Sequence, residues 1–75
     1  MNAAELQQAL FRSIKERLPA HVSMPDELAS LLGVGVDSAY RRIRGEKLLD
    51  LGEVSLLCDH FKLSFDADEY IVRRT

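Results

Sequence analysis

At 75 residues, 47% apolar and 29% charged, the chain has room for one globular domain at most; its composition excludes a disordered polypeptide, and it has no apolar run long enough to span a membrane. A single cysteine, Cys58, excludes an internal disulfide framework and fits a reducing cytosol. The formal net charge of −2 argues mildly against a nucleic-acid partner, although a local basic face matters more than the sum.

Residues 1–10 lack a positive start and a long apolar stretch, so no secretory signal is read and a soluble, cytoplasmic protein is expected. Residues 2–18 then read as the first helix. Leu6, Leu10, Ile14 and Leu18 recur every four residues with Phe11 beside them, which makes one apolar stripe. Pro19 ends it. The second helix starts near Ser23, whose hydroxyl suits a cap, with Pro25 and Asp26 in its first turn. Leu28, Ala29, Leu31 and Leu32 form its buried face, and Gly33 suits a left-handed end.

After a very short link the third helix is predicted over residues 36–44, stopping at Gly45. Ala39 and Ile43 point inward; Val36, Asp37, Tyr40, Arg41 and Arg44 lie largely on the other side. Residues 46–49 form a loop. Asp50 begins a fourth helix with Glu53 three positions on, the spacing of a capping box. Leu51, Val54, Leu57, Cys58 and Phe61 are assigned to its apolar stripe, and Leu63 and Phe65 close the core. Tyr70, Ile71 and Val72 form a short strand, a partner contact or the start of a linker. The expected class is all-α, a compact bundle of four to five short helices, with residues 1–66 as the domain and 67–75 as a C-terminal tail or the start of a linker.

The basic residues gather in three groups: Arg12, Lys15 and Arg17; Arg41, Arg42, Arg44 and Lys47; Arg73 and Arg74. The middle group spans residues 41–47, where four cations and the single acid Glu46 leave a local charge of +3. Most of it lies on the second of two short helices joined by a tight, glycine-containing turn over residues 26–45. Such a turn presents the second of two helices to the major groove of duplex DNA, which is about 12 Å wide.

At this point the sequence resembles a known family. Asp26-Glu27-Leu28-Ala29-Ser30-Leu31-Leu32-Gly33-Val34 is similar to the scanning helix and turn of Cro- and lambda-repressor-like regulators. Asp37-Ser38-Ala39-Tyr40-Arg41-Arg42-Ile43-Arg44-Gly45-Glu46-Lys47 resembles their recognition helix and following loop, and the run from Leu57 through Ser64 to Asp66 resembles their closing helix. Pro25 and Asp26 stand where the family commonly has Gln. The resemblance covers about residues 23–66. It implies a helix-turn-helix DNA-binding domain of a bacterial transcription regulator, often dimeric on a two-fold site, with a further C-terminal domain if the chain is a fragment.

The residues assigned to DNA are Asp37, Ser38, Tyr40, Arg41, Arg42, Arg44 and Lys47. Arginines at 41 and 44 suit a guanine edge or a phosphate. Asp37 and Ser38 lie in the turn that usually meets bases; Asp37 either accepts from cytosine or caps the helix. Tyr40 either stacks on DNA or packs into the core. Arg42 either binds phosphate or pairs internally with Asp50 or Glu53. Lys47 suits a phosphate, and the start of the second helix, around Ser23 and Met24, can aim N–H groups at one. Cys58 is expected in the core, and His21 and His60 on the surface. Cys58 and His60 are close in sequence, but two residues do not make a metal site. No Gly-x-Ser-x-Gly or phosphate-binding glycine loop occurs, so neither an enzyme nor a cofactor is expected. The alternative is a helical protein-interaction module, adaptor or antitoxin-like, without direct DNA readout.

Overall fold

The computed structural model describes residues 2–66 and 70–73, with side chains described over residues 2–63. Its body is a compact helical fold of four helices: α1 (Ala3–Arg17), α2 (Met24–Leu32), α3 (Val36–Ile43) and α4 (Leu51–Phe61). An antiparallel pair, β1 (Leu63–Asp66) and β2 (Tyr70–Arg73), follows. Of the readings open for residues 70–72, the strand is the one formed, and the pairing crosses residue 66, where the sequence places the domain end. Strand β1 lies beside α4, and β2 beside α1.

Local chemistry sets the helix boundaries. Asn2 Oδ1 accepts from the Glu5 amide at 2.9 Å and starts α1. Leu18 is already extended before Pro19, which ends the helix. Ser23 Oγ accepts from the Asp26 amide at 3.4 Å, and Pro25 occupies the first turn of α2, where no partner for its nitrogen is missed. Gly33 takes φ 68°, and the Gly33 and Val34 amides both donate to the Ala29 carbonyl. A side chain at position 33 would be strained in that conformation, so glycine is what allows α3 to start three residues later. Helix α4 opens with the capping box expected of Asp50 and Glu53: each side chain accepts from the other's amide, at 2.7 and 3.1 Å. It closes at Lys62, a non-glycine residue at φ 59°.

The core takes residues from every helix: Leu10, Phe11 and Ile14 from α1, Leu28 from α2, Ala39 from α3, Leu57 and Phe61 from α4, with Leu63 after it. Each fully buried leucine contributes about 1.5–3 kcal/mol of apolar transfer. Cys58 and Ile43 pack against this core from its edge. The expectation for Phe65 falls on a side chain outside the described set. One stripe assignment is corrected: Leu51 is 89% exposed. It is the first residue of α4, so although it lies on the same side as Cys58 it sits at the helix end, away from the core. Among the described residues, no helix is long and apolar enough to cross a membrane.

Candidate functional site

Helix α3 divides its side chains sharply. Ala39 is fully buried against the core and Arg42 is only 4% exposed, while Val36, Asp37, Tyr40, Arg41 and Arg44 face solvent. The turn at Gly33 and the single small core residue, Ala39, seat α3 on the body of the fold and leave this flank uncovered by any described residue. Tyr40, at 45% exposure, belongs to the flank rather than the core. Asp37 makes no cap: the N-cap is Gly35, and no side-chain cap bond forms there. Lys47 is exposed in the loop that follows.

Two of the assigned residues are turned away from this flank. Arg42 is the internal ion pair, not a surface cation. Its Nη2 lies 2.9 Å from Glu53 Oε2 and its Nε 3.4 Å from Oε1, so the partner is Glu53 rather than Asp50. Arg42 Nη1 also donates to the Ser38 carbonyl at 3.1 Å and to the Ser38 hydroxyl. Ser38 is half-buried, and its hydroxyl is occupied by this contact instead of facing outward. The cause is position: 38 and 42 are four apart and share the side of α3 that meets α4, and a buried guanidinium requires a paired carboxylate.

The loop after α3 is held by a residue that the sequence reading missed. Gln7 on α1 is buried. Its Nε2 donates to the Arg42 carbonyl at 2.8 Å and the Lys47 carbonyl at 2.9 Å, and its Oε1 accepts from the Leu49 amide at 2.7 Å. Both donor hydrogens and the acceptor are used. One α1 side chain therefore fixes the end of α3, the loop that carries Lys47 and the approach to α4. The available signal was the helical stripe: Gln7 lies three and seven positions before Leu10 and Ile14, on the buried face.

Arg41 and Arg44 differ in electrostatic state. Among the described residues no carboxylate is in ion-pair contact with Arg41. Arg44 is held by Glu46, with Nε 2.5 Å from Oε2 and Nη2 3.4 Å from Oε1. Gly45, at φ 82°, turns the chain between them. The hydrogen bond from Arg44 keeps the Glu46 carboxyl below its ordinary range, and the same bond raises the Arg44 guanidinium further. On the flank and its loop, Arg41, Arg44 and Lys47 against Asp37 and Glu46 leave three cations less two anions, +1. Arg42 adds nothing, because Glu53 neutralises it inside the fold.

Arg12 and Lys15 stand exposed on α1 and border a shallow groove with Met24 at the start of α2 and Ile43 at the end of α3. A separate apolar groove of about 240 Å³ runs between α1 and the start of α4, lined by Ala3, Leu6, Leu48, Leu49, Leu51 and Val54 among others. His21 and His60 are exposed, and the His60 ring meets Phe61 edge-on at 4.8 Å. Among the described residues, no three His, Cys, Asp or Glu side chains gather as a metal site. In comparisons with known proteins, no family model, no curated relative and no solved structure matches the chain.

Proposed function

We propose that the chain is a double-stranded DNA-binding module of the helix-turn-helix type, from a transcription regulator, with α3 entering the major groove. The observation that carries this reading is the flank of α3. Behind a three-residue, glycine-locked turn, Asp37, Tyr40, Arg41 and Arg44 all face solvent on one short helix, with Lys47 just beyond. Arg41 is the cation in position for a guanine edge, since no carboxylate pairs with it among the described residues. Lys47 sits on the anchored loop as a phosphate contact. Arg12 and Lys15, beside the start of α2, extend the phosphate-facing side. A local charge of only +1 on flank and loop gives a weak monomer. Working affinity then comes from a homodimer on half-sites about 34 Å apart, or from a further domain.

Selection of bound sites from a random duplex pool tests this directly: the reading expects an enriched motif and fails without one. On the selected site, Arg41→Ala is expected to lose about 1–3 kcal/mol and to relax preference at one base pair. An equal loss on random DNA would make Arg41 a phosphate contact. Lys47→Ala is expected to weaken all duplexes alike and to lower the salt slope by about 1.

A second reading, a protein-interaction module, draws on the apolar groove and on exposed Leu48 and Leu51. Its partner would be an amphipathic helix, with binding nearly independent of salt. Binding to DNA through several phosphates instead falls steeply between about 50 and 200 mM salt.

A further inference from the structure

We infer that Glu46 suppresses sequence-independent binding to polyanions by occupying the guanidinium fork of Arg44. This rests on the DNA-binding reading for its biological meaning, but the competition itself is chemical and can be measured apart from DNA.

Arg44 presents two adjacent N–H directions, the fork with which arginine binds a phosphate or a carboxylate. In the structure both are directed at one carboxylate, Oε2 on Nε and Oε1 on Nη2. The two residues are separated only by Gly45, whose positive φ brings their side chains alongside each other, so the contact is built into the turn. Both side chains are about half exposed, at 53% and 52%. Solvent screens such a pair, so a phosphate can displace it. Displacement nevertheless has to be made at every phosphate Arg44 would contact, whatever the base sequence. Hydrogen bonding from Arg44 keeps Glu46 ionised through neutral and mildly acidic solution, so the competitor is always present there. Without it, the flank and loop would carry +2 instead of +1. Sequence-independent binding consists almost entirely of phosphate neutralisation, so it is the mode that one added free cation raises most.

The test is a double-mutant cycle of wild type, Glu46→Gln, Arg44→Ala and the pair, read on two probes: a random-sequence duplex and a heparin column. All four proteins should melt alike, because neither side chain is buried. Glu46→Gln should bind the random duplex about 3–10-fold more tightly at 50 mM salt, with a salt slope steeper by about 0.9, one further phosphate. It should also elute from heparin at higher salt. In the Arg44→Ala background the Glu46→Gln gain should be several-fold smaller on both probes, leaving only the general charge effect that Glu46 also exerts near Arg41. A gain that persists undiminished without Arg44 would show general repulsion by Glu46 and overturn the inference, as would no gain or a loss in the single variant. If wild type binds no duplex while the heparin cycle behaves as described, the DNA-binding reading fails and the fork competition stands. If duplex binding is present and the cycle is flat, the reverse holds.

Discussion

Arg42→Ala is expected to destabilise the fold by about 3–5 kcal/mol. The Arg42 and Glu53 side chains are 5% and 16% exposed, so the pair sits where water solvates neither charge fully. Truncating the arginine leaves Glu53 partly buried without its counter-charge and removes the donor to the Ser38 carbonyl and hydroxyl. The loss is a substantial part of the total stability of so small a domain. At roughly 4–8 °C per kcal/mol for this size, melting should fall by at least about 12 °C. Arg42→Met with Glu53→Met should recover much of this, since it leaves no unpaired charge. Urea denaturation of the three proteins measures it. A loss below about 1 kcal/mol in Arg42→Ala would mean that the guanidinium is solvated in solution, and would return Arg42 to the list of candidate surface cations.

The second large effect is expected at Gln7. Gln7→Ala removes three hydrogen bonds and leaves the Lys47 carbonyl and the Leu49 amide without this partner, while the Arg42 carbonyl keeps only the Gly45 amide at 3.1 Å. A total of about 2–4 kcal/mol follows, less to the extent that water enters. Gln7→Glu has nearly the same shape but turns a donor toward two carbonyls into an acceptor, so it should be destabilised near neutral pH and partly rescued in acid, when a protonated carboxyl donates once more. Chemical denaturation across pH checks both. If Gln7→Ala melts like wild type, the three contacts do not hold the loop. Where the domain remains folded, the loosened loop should weaken any binding that relies on Lys47 without changing which sequence is preferred.

The helices were legible because their signals are local. Asn2, Ser23 and Asp50 stand at helix starts, Pro19, Gly33 and Gly45 at helix ends, and the four-residue apolar spacing of α1 identifies its buried side. The exposed flank of α3 was legible for the same reason: Asp37, Tyr40, Arg41 and Arg44 share one side at helical spacing. What the sequence leaves open depends on contacts between distant segments. Arg42 had two candidate carboxylates and a solvent alternative, and only the approach of α4 selects Glu53. Gln7 bonds residues 35 to 42 positions away, which no local pattern records. Leu51 has the helical spacing of the stripe but stands at the first position of α4, where it stays exposed. The C-terminal end of α4 also broke the rule, since Lys62 takes the left-handed conformation without being glycine.

Glu53 serves two elements with one carboxylate: it accepts the Asp50 amide that opens α4, and it grips the guanidinium that projects from α3. Fraying the first turn of α4 therefore loosens the hold on α3, and tilting α3 unseats the start of α4. The two should lose amide-exchange protection together, as one unit of the native state and not as separately breathing helices.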